Sequence, residues 1–323
     1  MKDVSSAAYS SLKHVTHDIS LCFKQNRVAA KTDIGSKGIN QDAFILEPKF
    51  REGEALIGVF DGHGEYGLEI AEATKAILPE KIKEFSITLS PQAALKAGFA
   101  ETQKLLVENF NEKSKTSGAT ATLVWLCSDR AYIANVGDSS ACLIKMRKDS
   151  TINSETFLKS NFTYGELVST DHRPELSSER ERVEKAGGLV VNNRYGKDTV
   201  SVGPYRILRP NLDSPGLMIT RSFGDVEAHE YCGCISEPDV QVHRWTHRDA
   251  LLVVATDGLW DVLDYKTLGH ICQDLLLNTD SPEIMAEELL KKAIEAKSGV
   301  DNTTVIVINI NDGKNKSNAC NIL

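Results

Sequence analysis

Asp61, Gly62 and His63 follow directly on an apolar run at 56–60, and their residue types could hold a metal ion. The apolar run predicts a buried strand, which delivers the next side chain, the Asp61 carboxylate, to a defined place. Glycine lets the backbone approach a ligand closely, so the Gly62 carbonyl oxygen can also coordinate. An aspartate oxygen beside a backbone oxygen suits Mg²⁺ or Mn²⁺. The alternative is a polar turn in which Asp61 only caps a helix that begins near Glu65.

Five aspartates share this setting at the start or end of an apolar stretch, beside glycine or asparagine: Asp42, Asp61, Asp138, Asp257 and Asp301. Clustered carboxylates repel one another and raise each other's pKa unless cations neutralise them. The set therefore predicts a site for hard metal ions, in which two ions about 3.5–4 Å apart activate a water for hydrolysis. A phosphomonoester substrate would also need a cation near its phosphate and an acid for the leaving oxygen. Lys37 and His63 are the candidates for these two tasks.

Short strands and amphipathic helices must position these residues. Stretches rich in apolar and β-branched residues predict strands at 119–127, 130–136, 140–146, 251–256 and 303–310. The first three strands are joined by short turns, which predicts an antiparallel meander. Helices are predicted after His63, with a bend or boundary at Pro79, and after the Ser-Pro pairs at 90–91 and 281–282.

The organisation of the chain indicates one domain over residues 26–312, because no internal repeat and no clear linker interrupts that range. Residues 1–25 are polar and predict a loosely attached extension, and residues 313–323 predict a flexible tail. The polar stretch 147–164 predicts an exposed loop. The turn-rich stretch 192–216 predicts a mobile lobe over a site.

Eight short motifs resemble, in the same order, those of the metal-dependent serine/threonine protein phosphatases of type 2C. Each motif is weak singly, but eight in the same order are strong evidence, and the similarity covers about residues 26–312, which is nearly the whole chain. They are Asn40-Gln41-Asp42, Phe60-Asp61-Gly62-His63-Gly64, Ser117-Gly118-Ala119-Thr120-Ala121, Asn135-Val136-Gly137-Asp138-Ser139, Asp171-His172-Arg173-Pro174, Arg221-Ser222-Phe223-Gly224-Asp225, Asp257-Gly258-Leu259-Trp260-Asp261 and Asp301-Asn302-Thr303-Thr304.

The resemblance implies an α+β fold with two packed antiparallel β-sheets flanked by α-helices on both faces, an α-β-β-α sandwich. It implies hydrolysis of phosphoserine and phosphothreonine in phosphoprotein substrates at a centre of two Mn²⁺ or Mg²⁺ ions. The metal ligands that it implies are Asp61, which bridges both ions, the Gly62 carbonyl, Asp257, Asp301 and, directly or through water, Asp42. Residues 192–216 fall where the family has its flap, which influences substrate choice.

The resemblance also assigns the remaining site residues. Asp138 and Asp261 match positions that hold a third, weaker ion, and His63 matches the general acid. Two departures stand out, since many members have an arginine at the phosphate where this chain has Lys37, and an acidic residue where it has Gln41. Lysine keeps the charge but loses the bidentate fork of arginine, which weakens the expectation of tight phosphate binding.

Two rival functions share this fold. A non-catalytic relative would keep the fold as a binding module and lack one or more ligating aspartates, whereas all of them are present here. A relative with the same two-metal chemistry could instead act on small phosphate esters or nucleotides. The sequence discriminates poorly against this second rival, and comparing the turnover of a phosphopeptide and a nucleotide would decide.

Composition narrows the classes of partner and compartment. The net charge of −8 argues against nucleic-acid binding, which needs a basic surface. The seven cysteines are few, odd in number and irregularly spaced, which favours reduced thiols in the cytoplasm over a disulfide framework. The pair Cys232 and Cys234 is interpreted as buried thiols rather than a metal site. No signal peptide is visible and the apolar runs are too short to span a bilayer, so we expect a soluble protein, with a monomer as the default.

The last four residues, Cys320-Asn321-Ile322-Leu323, match a C-a-a-X box, and the terminal leucine favours geranylgeranylation of Cys320. Asn321 fits poorly, because that position is usually aliphatic, and a chance match is the alternative. A single prenyl chain gives only marginal membrane residence. The prediction is therefore a cytoplasmic protein with peripheral membrane association through a lipid on Cys320.

Overall fold

The computed structural model describes residues 26–147, 163–195, 200–210, 212–296 and 301–310, together with Thr16 and Phe23. For 193–195 and 200–202 it describes the backbone alone. The predicted extension at 1–25 lies almost wholly outside the described residues, as do most of the loop at 147–164 and the whole tail with Cys320. The domain bounds at 26 and 312 stay a prediction.

Fifteen strands and seven α-helices lie in the described part of the chain. The strands are β1 (Val28–Asp33), β2 (Asp42–Arg51), β3 (Glu54–His63), β4 (Gly118–Ala119), β5 (Ala121–Leu126), β6 (Arg130–Val136), β7 (Ser140–Met146), β8 (Thr163–Leu167), β9 (Leu189–Tyr195), β10 (Val200–Leu208), β11 (Pro215–Leu217), β12 (Phe223–Gly224), β13 (Asp239–Arg244), β14 (Asp249–Ala255) and β15 (Thr303–Asn309). The helices are α1 (Gly67–Phe85), α2 (Pro91–Phe110), α3 (Ser177–Lys185), α4 (Val226–Cys232), α5 (Asp257–Trp260), α6 (Tyr265–Asn278) and α7 (Pro282–Ala296), and a 3₁₀ turn spans Asn111–Ser114.

Two antiparallel sheets form the middle of the molecule. The seven-stranded sheet has the order β12-β4-β3-β5-β6-β13, with β2 paired to β3, and the five-stranded sheet has the order β1-β15-β14-β7-β8. Helices α1 and α2 pack on the outer face of the first sheet, and α6 and α7 on the outer face of the second. The predicted α-β-β-α sandwich is confirmed.

The central strands are apolar on both sides because both of their faces are covered. In β3, Leu56 and Phe60 face the helices α1 and α2, whereas Ile57 and Val59 face the other sheet. Strand β14 alternates in the same way between the core under α6 and α7 and the core between the sheets. Side chains of a strand alternate between its two faces, so a strand in the middle of four layers needs an unbroken apolar run.

The predicted meander over 119–146 is wrong in its third strand. Strands β5 and β6 pair as expected, but β7 crosses to the five-stranded sheet and pairs with β14 and β8. Gly137, at φ +91°, turns the chain between the two sheets, a backbone conformation that glycine adopts without strain. The crossing carries Asp138 to the gap between the sheet edges.

Of the bend or boundary predicted at Pro79, the boundary is absent, because α1 continues as one helix from Gly67 to Phe85. Pro79 is one of the buried residues of this helix. Helix α2 begins as predicted, with the Ser90 hydroxyl accepting a hydrogen bond from the Ala93 amide. Among the described helices, none combines the length and the apolar composition that a bilayer crossing requires.

A third, small sheet of order β11-β10-β9 lies where the flap was predicted, and a cluster around Val183, Ile207 and Cys232 packs it against α3 and α4. Residues 196–199 and 211 of this stretch lie outside the described residues. The five cysteines in the described part of the chain are free thiols, and Cys232 and Cys234 are fully buried, as expected.

Candidate metal centre and active site

A cavity of about 570 Å³ opens at the edges of the two large sheets. Four of the five predicted aspartates line it, although they are far apart in the chain: Asp61, Asp138, Asp257 and Asp301. The predicted Lys37, Gly62 and His63 line the same cavity. The fold therefore brings most of the predicted site residues together.

Asp61 is fixed by backbone and side-chain contacts at the end of β3. Its amide donates to the Thr120 hydroxyl at 3.1 Å, and its carbonyl accepts from the Thr120 amide at 2.9 Å. The strand runs on to His63 instead of ending at Asp61, and α1 begins only at Gly67, so Asp61 does not cap that helix. The alternative of a simple helix cap is thereby excluded.

Gly62 lies where no side chain fits. A Cβ on Gly62 would lie 2.4 Å from the Gly67 carbonyl oxygen and 2.7 Å from that of Gln41. The close backbone approach keeps the start of α1 beside the end of β3. Gly258 serves the same purpose at the other side of the cavity, since its Cβ would lie 2.2 Å from the Asn302 carbonyl oxygen.

Asn302 connects three segments of the site. Its side-chain oxygen accepts from the Gln41 amide at 2.9 Å, and its side-chain nitrogen donates to the carbonyls of Ile34 and Ile39 at 2.8 and 3.1 Å. These bonds hold the loop that carries Lys37 against the start of β15. Sequence reasoning quoted Asn302 within a motif but did not assign it this role.

Asp42 lies behind the cavity wall, opposite Asp61 in the β2–β3 register. One carboxylate oxygen accepts from the hydroxyls of Thr256 and Thr304 at 2.9 and 2.8 Å, and the other is buried without a partner. Burial, with the nearby charges of Asp257 and Asp301, outweighs these hydrogen bonds and raises the pKa of Asp42 to about 7. Asp42 does not line the cavity. It could therefore act on a metal ion there only through water, or by supporting the residues that line the cavity.

Asp61 and Asp257 share a hydrogen bond between their carboxyl groups. Burial, followed by the charge of Asp257, raises the pKa of Asp61 well above its usual range. Burial and the charge of Asp257 likewise raise the pKa of Asp138 to about 7. Such concentrated negative charge is unfavourable without a compensating cation.

Two fixed cations already pair with this acidic wall. The Lys37 ammonium lies 3.2 Å from an Asp301 oxygen, with both side chains about half exposed. The Arg173 guanidinium lies 3.0 Å from Asp138 and 2.9 Å from Asp261, so it bridges the two residues predicted for a third ion. The Asp261 side chain is more exposed than that of Asp138, and Asp261 does not line the cavity.

The donor set fits a hard divalent ion in its chemistry. Its side-chain ligands are carboxylates, the Gly62 carbonyl lies among them, and an orphaned oxygen of Asp42 lies behind. In the part of the chain that the structure describes, no three acidic, histidine or cysteine side chains converge as the ligands of one ion do. The contacts in the cavity are instead carboxyl to carboxyl between Asp61 and Asp257, and ammonium to carboxylate between Lys37 and Asp301. The Lys37 ammonium thus lies at an Asp301 oxygen that Mn²⁺ or Mg²⁺ would take.

His63 is held by Asp225, a residue that sequence reasoning quoted within a motif but whose role it missed. Its Nε2 lies 2.6 Å from an Asp225 oxygen, and the Ser222 hydroxyl donates to the same oxygen at 2.5 Å. Asp225 is almost completely buried. Burial alone would lower the pKa of His63, but the Asp225 carboxylate outweighs it, so the pKa of His63 is raised. Asp225 thereby favours the protonated imidazole and orients the ring, which suits a general acid.

Gln41, one of the two departures from the family pattern, has a clear contact. Its side-chain amide donates to the Gly64 carbonyl at 2.9 Å and so supports the turn after His63. An acidic residue could not donate this hydrogen bond.

Arg206 is a second residue that sequence reasoning missed, and it lines the cavity from β10.

Comparisons with known proteins agree with the geometry. Residues 35–302 match the family model described as protein phosphatase 2C. The chain is 30% identical to "Probable protein phosphatase 2C 61" of Arabidopsis thaliana, covering 90% of this chain and 86% of that relative. A solved structure of the serine-threonine phosphatase 2C from Toxoplasma gondii superposes with a TM-score of 0.68 at 22% identity, over 87% of this chain and 94% of that one. A sex-determining protein of C. elegans gives a TM-score of 0.70 at 22% identity, over 88% of this chain and 64% of that one.

Proposed function

We propose that this chain hydrolyses phosphoserine and phosphothreonine with the help of two Mn²⁺ or Mg²⁺ ions. The premise is that the chain belongs to the protein phosphatase 2C family and is a protein serine/threonine phosphatase. One observation carries this proposal. Asp61, Asp257 and Asp301, which are distant in sequence, line one cavity together with His63. A protein that used this fold only as a binding module would need neither the buried acidic cluster nor an imidazole oriented beside it.

The residues that would hold the ions are Asp61, the Gly62 carbonyl, Asp257 and Asp301, with Asp42 supporting them from behind. When bound, the ions supply Lewis acidity, which lowers the pKa of a water molecule and neutralises the phosphoryl oxygens. The elevated pKa values of Asp42, Asp61 and Asp138 support this assignment, because they report a negative charge that the protein alone does not compensate.

His63 would protonate the leaving oxygen of serine or threonine. An alkoxide is a poor leaving group, so an acid at this position accelerates the reaction by about 10²–10⁴-fold. Because Nε2 is bonded to Asp225, Nδ1 is the nitrogen that remains to donate the proton. Asp225 would act as a positioning residue that holds the ring and stabilises its charge.

Lys37 would contact the phosphate, from its place beside Asp301. We propose that it binds the phosphoryl group as a point charge, without the bidentate fork of an arginine. A third ion at Asp138 and Asp261 would have to displace the guanidinium of Arg173 from between them. Third-ion binding is therefore proposed to be weak.

The location of the protein remains a proposal from sequence alone. We propose a cytoplasmic monomer that associates peripherally with membranes through a prenyl group on Cys320. Mass spectrometry of the intact protein from eukaryotic cells tests this directly, since a geranylgeranyl group adds a defined mass. An unmodified Cys320 would contradict the lipid anchor without affecting the enzyme assignment.

The activity is tested by the turnover of a phosphothreonine peptide with Mn²⁺ or Mg²⁺, and again with excess chelator. We expect phosphate release that depends on the metal and is lost with chelator. Equal turnover with chelator would contradict the metal dependence. A nucleotide offered in parallel tests the rival function, because faster hydrolysis of the nucleotide than of the peptide would favour a small-molecule phosphatase.

A further inference from the structure

The small three-stranded sheet contributes a guanidinium to the wall of the cavity, that of Arg206 on β10. Its Nη1 donates to the Gly216 carbonyl at 2.5 Å, which ties the side chain to the backbone of β11. Among the described residues this is its one polar contact, and no carboxylate there lies within ion-pairing distance of it. A guanidinium has five N–H donors, so most of the hydrogen-bonding capacity of Arg206 is unused.

Lys37, the other cation that is predicted to meet substrate, is placed differently. Its ammonium pairs with Asp301, so it belongs to the acidic cluster where the phosphoryl group must react. Arg206 is instead anchored to the backbone of its own small sheet. The two cations therefore serve different parts of the cavity, with Lys37 at the reacting group and Arg206 beside the apolar lining.

The cavity is much larger than a phosphoryl group. Its volume of about 570 Å³ falls within the range of sites that enclose ligands of many atoms. Ile39, Leu217, Met218 and Ile219 add apolar surface to it. The cavity therefore has room for side chains that flank the phosphorylated residue of a substrate protein.

We infer that Arg206 determines specificity by binding a carboxylate side chain of the substrate close to its phosphoserine or phosphothreonine. This inference rests on the proposed function. A guanidinium with unused donors is suited to a bidentate pair with a carboxylate. Arg206 lies in the cavity wall with no carboxylate of the described residues paired to it, so a substrate carboxylate can take that place.

The test compares matched phosphothreonine peptides that carry a single glutamate or a single glutamine at one flanking position, from two residues before to two residues after the phosphothreonine. With the wild-type enzyme and Mn²⁺, we expect the best glutamate peptide to exceed its glutamine twin about tenfold in kcat/KM, the effect of one charge-assisted hydrogen-bonded pair. The preference should shrink as salt is added, because the pair is reached by solvent.

Arg206→Gln should abolish this preference while it leaves the glutamine peptides and p-nitrophenyl phosphate unchanged. Arg206→Lys keeps the charge but not the fork and should retain part of the preference. Arg209→Gln is the matched control, because Arg209 lies three residues further along, stacks on Tyr231 and does not line the cavity. This control should keep the full preference.

Two results would overturn the inference. One is a wild-type enzyme that turns over glutamate and glutamine peptides equally. The other is an Arg206→Gln enzyme that loses the same factor on every substrate, which would place Arg206 at the phosphoryl group or give it only a structural role. A wild-type enzyme that hydrolyses no phosphopeptide at all would instead refute the proposed function, and this inference with it.

Discussion

Replacing Asp225 with asparagine tests the proposed role of His63 as the general acid. The substitution keeps the size of the side chain and an oxygen that can accept from His63, but it removes the negative charge 2.6 Å from Nε2. The imidazolium then loses its closest compensating charge. Because Asp225 is buried and lies behind His63, the change does not alter the cavity wall.

The expected loss follows from the type of hydrogen bond. A hydrogen bond to a charged group contributes about 1.5–3 kcal/mol and a neutral one about 0.5–1.5 kcal/mol, so the exchange removes about 1–2 kcal/mol. At about 1.4 kcal/mol for each factor of ten, this corresponds to a decrease of about 5- to 30-fold in kcat for a phosphopeptide. A substrate whose leaving group needs no proton should be affected much less.

The assay therefore compares two leaving groups. The kcat of wild type and Asp225→Asn is measured on a phosphothreonine peptide, which leaves as an alkoxide, and on p-nitrophenyl phosphate, which leaves as a stabilised phenolate. Asp249→Asn is the control, because Asp249 is an equally buried aspartate that lies 2.8 Å from His243, and neither residue lines the cavity. It should leave the ratio of the two rates unchanged.

Two outcomes would refute the reasoning. If Asp225→Asn slows both substrates by the same factor, Asp225 supports the site as a whole and not the proton transfer. If it slows neither, the hydrogen bond to His63 has no catalytic role.

Three further predictions concern stability and substrate binding. Burial alone would raise the pKa of Glu179, but hydrogen bonds from two arginines and a threonine lower it below the usual 4.5. Ionised Glu179 therefore stabilises the folded state above about pH 4.5, and this contribution is lost as the pH falls further. Glu179→Gln should flatten the acid side of the thermal-unfolding profile, and an unchanged slope would contradict this. Lys37→Arg should lower KM for a phosphopeptide several-fold, because arginine adds the bidentate fork. The free energy of unfolding should change by at most about 1 kcal/mol, because the ion pair with Asp301 is half exposed. An unchanged or higher KM would argue against phosphate contact. Gly62→Ala places a Cβ 2.4 Å from the Gly67 carbonyl oxygen, so chemical denaturation should show a loss of about 1–3 kcal/mol or more, and a variant of wild-type stability would show that the backbone yields.

The sequence predicted the acidic cluster because the relevant signals are local. Asp61, Asp257 and Asp301 each adjoin an apolar strand, and the structure places all three at one end of the sandwich. Core strands must end near a common edge, so residues just beyond them meet in space. The layered fold was predicted from the resemblance to a family, which rested on the order of the motifs. Hydrophobic periodicity alone did not predict it.

Features that depend on contacts between distant segments were missed. Asp225 reaches His63 because β12 and β3 both pair with β4, which no local pattern reveals. Arg206 lies on a strand whose apolar alternation is weak, so nothing in its neighbours marked it as part of the cavity. Strand β7 was assigned to the wrong sheet because an apolar alternating strand fits either sheet, and only the turn at Gly137 decides between them.

The central claim is that aspartates from separate strands bind two divalent ions, and isothermal titration calorimetry with Mn²⁺ tests it most directly. We expect about two ions per wild-type chain at the higher-affinity sites, and a loss of this binding in Asp257→Asn, which removes one carboxylate charge from the centre of the cluster. A wild-type protein that binds no Mn²⁺, or an Asp257→Asn protein that binds it as the wild type does, would contradict the claim.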